Sequence, residues 1–289
     1  MRYGTGAALV VAAAVSWSLT GLAIRQIGTP DPWAILFWRS VGVLPVLAAV
    51  IIWNRGGFIG PLRQAGLPGV IGGLSLVFAF SGAIYALQAT TVANAVFLFA
   101  ASPFITAALA WAVLGERVHP LTWACMGVAG AGMYIMFREG LSVGAGPGSA
   151  AALLSATGFA CFTLTLRWGK LADMMPATFL GGGFSALVAG AVTRASGGTL
   201  MIPGHDIAVS LFMGAFLLAS GLTLYTFGSK ALRAADLTLI SNIEVLLGPF
   251  WVWLFLGEKA GAGTLLGGLV LLAAVVTNGL LGLRRAVTA

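Results

Sequence analysis

The chain has 289 residues, of which 59% are hydrophobic and only 8% are charged. A mean hydropathy of +1.00 excludes a water-soluble fold, because such a fold needs charged side chains to cover its core. The net charge of +7 does not indicate a nucleic-acid binder, since Lys and Arg stand singly or in pairs between apolar runs. Cys125 and Cys161 lack metal-site spacing. Composition therefore predicts an integral membrane protein without a metal or cofactor.

Ten apolar runs are each long enough to cross about 30 Å of hydrocarbon as a helix. Barrel strands are excluded because they are short and alternate in polarity. The first run continues to Ile24, too long for a signal-peptide core, and so predicts an uncleaved first helix. The predicted helices are Ala7–Ile24, Ala34–Trp53, Leu67–Leu87, Val92–Leu114, Leu121–Phe137, Ser149–Leu166, Met174–Val192, Ile207–Phe227, Leu237–Leu256 and Gly263–Leu283.

The distribution of basic residues between alternate loops predicts the orientation in the membrane. Placing the N-terminus inside puts ten Lys and Arg residues on the cytoplasmic side and four outside, with Arg39 left within the second helix. Cytoplasmic loops carry the excess of basic residues, and an even number of helices returns the chain to its starting side. We therefore expect both termini in the cytoplasm, in a multi-pass protein of the plasma membrane, or of the inner membrane if the source is bacterial.

The two halves of the sequence align with each other at an offset of 142 residues. The alignment predicts one five-helix repeat over 1–140, a glycine-rich linker over 141–148 that acts as a hinge, and a second repeat over 149–289. An odd number of helices per repeat inserts the second repeat upside down. Carriers use such inverted halves to build a central cavity that opens to each side in turn. Matching pairs are Gly6 and Gly148, Arg25 and Arg167, Asp31 and Asp173, Asn94 and Asp236, and Glu116 and Glu258.

The motifs within these halves resemble paired EamA modules of the drug/metabolite transporter superfamily. The resemblance rests on Ala86-Leu87, Ala93-Asn94, Ser102-Pro103 and Leu114-Gly115-Glu116-Arg117, and in the second half on Ala231-Leu232, Glu244 and Leu256-Gly257-Glu258-Lys259. It implies ten helices around a cavity framed by the first, third, fourth, sixth, eighth and ninth. It also implies export of small metabolites, with the amino-acid exporter branch favoured. A multidrug or nucleoside-type exporter of the same superfamily is the alternative.

Few ionisable or amide side chains lie inside the predicted helices, and charge at that depth normally faces the bundle interior. Glu244 is a candidate for a substrate amine or a coupling proton, or else a buried acid hydrogen-bonded to backbone or to Asn242. Asn94 and Asn242 can read a zwitterion or hold helices together. Arg39 starts near a helix end, which favours a snorkelling, structural role.

Aromatic and hydroxyl side chains on the cavity-framing helices complete the candidate substrate site. Aromatic stripes also serve helix packing and lipid contact, so both interpretations stand. The candidates on the inferred cavity walls are Trp17, Thr20, Phe78, Ser81, Tyr85, Phe159 and Thr223.

Other functional classes find less support in the sequence. Without a Walker A motif the chain does not itself hydrolyse ATP, and it shows no cluster of acids, histidines or metal ligands for an intramembrane enzyme. A channel would need a polar-lined pore. The repeated Glu116 and Glu258 suggest contacts that change with conformation, although a solvated helix end is the simpler interpretation. The expected partners are a small-molecule substrate and the lipid bilayer, without an obligate protein partner.

Overall fold

The computed structural model describes residues 3–142, 144–171, 173–232, 240 and 242–288, with side chains as far as 280. Helices make up this part of the chain, and they are joined by short turns. The helices are α1 (Tyr3–Ile24), α2 (Pro32–Arg55), α3 (Ile59–Ala89), α4 (Val92–Leu114), α5 (Pro120–Ser142), α6 (Gly146–Trp168), α7 (Met175–Ala195), α8 (Gly204–Ser229), α9 (Ile243–Leu256) and α10 (Ala262–Thr288).

The predicted all-α membrane fold is confirmed. Within the described residues, nine helices have the length and apolar composition to cross a membrane. The tenth, α9, has 14 described residues, and the first part of the predicted Leu237–Leu256 lies largely outside the described residues. Helix α5 extends to Ser142 and α6 begins at Gly146, so much of the segment 141–148 is helical.

Capping residues set several of the helix ends. The Asp31 carboxylate accepts a hydrogen bond from the Trp33 amide at 2.9 Å, and Asp173 accepts one from the Met175 amide at 3.0 Å. These carboxylates satisfy amides that the first turn of a helix leaves unpaired. Helices α4 and α9 both stop at a left-handed glycine, since Gly115 and Gly257 each have a φ of 66°.

Four helices are interrupted along their length. Helix α1 breaks at Leu19, and α3 has a non-helical residue at Gly66. Helix α4 consists of Val92–Phe99 and Ser102–Leu114, because Pro103 lacks an amide hydrogen and cannot continue the first segment. Helix α8 widens into a π-helix over Met213–Ala219. Such interruptions free backbone groups and often mark ligand sites in transporters.

The helices form two packed groups. Helix α3 packs along α6 and α7, whereas α8 packs against α1 and α2. Helices α2 and α7 contact each other and so join the two groups, while α5 and α10 form a further packed pair. No extended packing joins α1 to α6 or α3 to α8 in the described part of the chain. The α1–α8 and α3–α6 pairs thus lie in different packed groups, and we refer to them below as the two walls of the crevice that the sequence predicts.

Backbone contact at glycines holds the crossing of α5 and α10. A side chain added at Gly132 would place its Cβ 2.6 Å from the Gly267 carbonyl oxygen, and one added at Gly267 would meet the Gly132 carbonyl in turn. Small residues allow this approach, which is how membrane helices associate in the absence of a hydrophobic driving force.

Gly132→Leu is expected to separate these helices and destabilise the protein by about 1–3 kcal/mol, the usual cost of overpacking. Gly130→Leu is the matched control, because Gly130 lies on the same helix with no atom within 4 Å of an added Cβ. Thermal unfolding in detergent measures both variants. Equal melting temperatures for the two would contradict the close crossing.

Candidate functional site

The α1–α8 wall contains three of the predicted site residues. The Trp17 ring lies 5.6 Å from that of Tyr225, and the indole rests directly on Gly221, so that any side chain at 221 would collide with it. The Trp17 Nε1 atom is buried without an acceptor among the described residues. Thr223 donates its hydroxyl to the Ala219 carbonyl at 2.7 Å, and Thr20 begins the second segment of α1.

The α3–α6 wall contains four more of the predicted site residues. Phe78, Tyr85 and Phe159 are exposed by 42–56%, as are other large apolar side chains of these helices such as Leu74 and Leu154. The helices meet where Ser155 donates to the Ala79 carbonyl at 2.7 Å, between Phe78 and Phe159. Ser81 donates to the Val77 carbonyl at 2.7 Å. The hydroxyl oxygens of Ser81 and Thr223 keep lone pairs that can accept a hydrogen bond from a ligand.

Asn94 lies apart from these walls. Its side-chain amide nitrogen donates to Thr90 at 3.0 Å and to Ser149 at 2.7 Å, which ties the start of α4 to the start of α6. Its amide oxygen is buried without a partner among the described residues. The structure thus gives Asn94 a helix-joining contact near one membrane face, and one acceptor remains unused.

Asn242 and Glu244 lie at the start of α9, directly after its undescribed portion. The 14 residues of α9 rise about 21 Å, so Glu244 is far below the end of the helix at Leu256. Glu244 makes no hydrogen bond or ion pair with Asn242 or with any other described residue, and the Asn242 amide nitrogen is buried without a partner there. The expected bond between the two is therefore absent, and both side chains remain available.

Arg39 does not snorkel as its position in the sequence suggested. It is only 6% exposed, and its guanidinium carbon lies 4.8 Å from the centre of the Phe80 ring. A desolvated cation–π contact contributes about 2 kcal/mol or more, whereas an Arg at the bilayer centre costs about 2.5–3.5 kcal/mol on insertion scales and about 10–17 kcal/mol in simulations. The ring alone therefore does not offset the burial of this charge.

An ion pair with several further hydrogen bonds joins helix ends at one end of the bundle. The Arg25 guanidinium donates to Glu258 at 2.8 Å, to the Leu87 carbonyl at 2.7 Å and to the Thr90 carbonyl at 2.8 Å. Glu258 also accepts from the Val92 amide at 2.7 Å. These five residues, the Arg25 clip, join the ends of α1 and α9 to the turn between α3 and α4. Glu258 is therefore not a solvated helix end.

The Arg167 pair, formed by Arg167 and Glu116, stands at the positions that the offset of 142 relates to Arg25 and Glu258. The Arg167 guanidinium contacts Glu116 at 2.6 Å, and neither side chain bonds to another described residue. The side chains of Arg167 and Glu116 are 49% and 39% exposed. Those of Arg25 and Glu258 are 24% and 19% exposed. The two ion pairs therefore differ in strength, because exposed pairs contribute little and partly buried, multiply bonded ones more.

Sequence reasoning did not identify the bonds of the Arg25 clip, although the repeated Arg and Gly-Glu positions were their signal. Two peripheral grooves, of about 450 Å³ beside Leu187 and about 710 Å³ beside Asp206, contain none of the predicted site residues. No cluster of three His, Cys, Asp or Glu side chains suited to a metal ion occurs among the described residues.

Comparisons with known proteins agree with this arrangement. Residues 4–138, just under half of the chain, match the model of the EamA-like transporter family. A crystal structure of a protein with 16% identity superposes with a TM-score of 0.67, covering 96% of this chain and 98% of that chain, which shows the fold alone. No curated protein matches the chain. Residues 4–138 are therefore similar to an EamA-like transporter module, within a chain that forms a multi-pass, all-α membrane protein.

Proposed function

We propose that this protein is a transporter of the EamA type, an alternating-access carrier that exports small metabolites, with amino acids as the substrate class. It would bind its substrate in the crevice between the α1–α8 and α3–α6 walls and needs no catalytic group, metal or cofactor. In this proposal residues 1–140 and 149–289 are inverted repeats, joined at 141–148. The N-caps at Asp31 and Asp173 and the left-handed glycines at 115 and 257 support that relation.

The observation that carries the proposal is the asymmetry between the Arg25 clip and the Arg167 pair. A carrier built from inverted halves has one gate at each face, and only one gate is closed at a time. Arg25 bridges α1 and α9 to the α3–α4 turn, whereas Arg167 bonds Glu116 alone. We assign the Arg25 clip to the closed gate and the Arg167 pair to the open one.

The distribution of basic residues supports the direction of export. With the N-terminus in the cytoplasm, the Arg25 clip lies at the outer face and the Arg167 pair at the inner face. A crevice open only to the cytoplasm is the loading state of an exporter. The plasma membrane, or the inner membrane of a bacterium, is the proposed location.

The crevice walls support a small amphipathic substrate. Exposed aromatic rings at Phe78, Tyr85 and Phe159 offer apolar area, and the Ser81 and Thr223 oxygens can accept hydrogen bonds from an ammonium group. Glu244 adds one carboxylate without a partner among the described residues. A multidrug or nucleoside exporter remains the alternative within the same mechanism, because aromatic walls also suit larger flat ligands.

Reconstituted vesicles test the proposal. We expect labelled amino acids to show saturable counterflow, which unlabelled amino acids suppress and nucleosides or cationic drugs do not. If only nucleosides or cationic drugs suppress the counterflow, they and not amino acids are the substrate class. Flux that never saturates would indicate a channel, and chemical conversion of the substrate would indicate an enzyme.

A further inference from the structure

Arg39 is a buried cation without an anionic partner among the described residues. It lies on α2 at the seam between α3 and α8, with its side chain over Phe80 of α3. Its backbone carbonyl meets Gly214, in the π-helical part of α8. Within the described residues, no hydrogen bond or ion pair joins Arg39 to a carboxylate. Arg39 therefore lies buried where α2 contacts both α3 and α8.

Most acidic side chains of the chain accept hydrogen bonds from residues other than Arg39. Asp236 lies outside the described residues, and Glu244 has no described partner. The other six each accept at least one hydrogen bond: Asp31 from Trp33, Glu116 from Arg167, Glu139 from Gly263 and Thr264, Asp173 from Arg55 and Met175, Asp206 from Gly28 and Thr29, and Glu258 from Arg25 and Val92.

Arg39 and Glu244 are thus two intramembrane charges of opposite sign that are not paired with each other. Ionisable side chains inside a membrane bundle normally pair, or mark a substrate pathway. A ligand that carries one negative and one positive group satisfies both without bringing the two side chains together. The planar guanidinium can bind a carboxylate through two parallel hydrogen bonds.

We infer that Arg39 is the anion-binding group of the substrate site and holds the carboxylate of a zwitterionic substrate. Glu244 holds its ammonium group, and Phe80 keeps the guanidinium in position through its ring face. This inference rests on the proposed function and assigns the residue that recognises the acidic end of the substrate. Arg39 also reads the substrate's charge, because an amide or ester in place of the carboxylate leaves the guanidinium unpaired.

Counterflow of a labelled mixture of the twenty standard amino acids tests the assignment. The unlabelled competitors are the same mixture, its C-terminal amides and its N-acetyl derivatives. In the wild type we expect the free amino acids to compete at least tenfold better than the amides. Arg39→Gln is expected to lose counterflow at least tenfold and to abolish the discrimination against amides, while Arg39→Lys restores part of both.

The outcomes separate this inference from the proposed function. Wild-type vesicles that move none of the mixture would overturn both. Wild-type counterflow with unchanged rate and unchanged amide discrimination in Arg39→Gln would overturn the assignment of Arg39 alone. If Arg39→Gln fails to insert, the wild-type preference for free amino acids over amides decides instead, and equal competition by the two would overturn the assignment.

Discussion

Arg25→Gln is expected to open the outer face of the carrier and to reduce transport at least tenfold. The substitution removes the charge from a guanidinium that bonds Glu258 and two carbonyls at once. A hydrogen bond to a charged group contributes about 1.5–3 kcal/mol. The loss of one such bond therefore shifts a two-state equilibrium roughly tenfold or more towards the outward-open state.

A cysteine in the crevice reports that shift. Tyr85→Cys on α3, in a background with Cys125→Ser and Cys161→Ser, would be labelled from outside by a membrane-impermeant thiol reagent. Arg25→Gln should raise the labelling rate. Arg167→Gln is the matched variant in the repeat-related pair, and it should leave the rate unchanged or lower it. Labelling that rises equally in both variants would contradict the assignment of the two gates.

Glu244→Gln is the second change for which we expect a large effect. A neutral amide cannot hold an ammonium group as a carboxylate does, so amino-acid transport should fall at least tenfold while insertion and folding stay intact. If Glu244 instead carries a coupling proton, the variant should still exchange substrate but should not respond to a pH gradient. Counterflow and gradient-driven uptake, measured side by side, distinguish these roles.

Glu244→Asp is the matched control, because it keeps the charge on a shorter side chain. It should retain more transport than Glu244→Gln in either role. Wild-type uptake, exchange and pH response in Glu244→Gln would refute both roles and leave the side chain as polarity within the helix packing.

Run length and apolar composition were enough to predict the helices, because a membrane requires about 20 apolar residues for each crossing. The predicted ends were short where a helix continues beyond its apolar run into polar residues, as at Pro120–Ser142 and Gly204–Ser229. The interruption at Ala100 and Ala101 was not predicted, although Pro103 was its signal. The π-helix over Met213–Ala219 has no comparable signal, since tertiary packing determines it.

The candidate site was predictable in part. Helical spacing groups the candidate side chains of each wall, because residues three, four and seven apart share a helix face, and their role at a substrate site stays a prediction. The partners of Asn94 and Arg39 could not be predicted in the same way, since Ser149 and Phe80 reach them from other helices. The bond between Arg25 and Glu258 spans 233 positions, and only the fold brings them together.

Reversible cross-linking of the outer face tests alternating access most directly. Ala89 and Lys259 are exposed neighbours of the clip residues Thr90 and Glu258. Ala89→Cys and Lys259→Cys, in a background without Cys125 and Cys161, would be joined by a flexible bis-thiosulfonate reagent. Joining them should hold the outer gate shut and abolish counterflow, and a reductant should restore it. Undiminished counterflow in fully cross-linked protein would contradict a carrier that opens at the Arg25 clip.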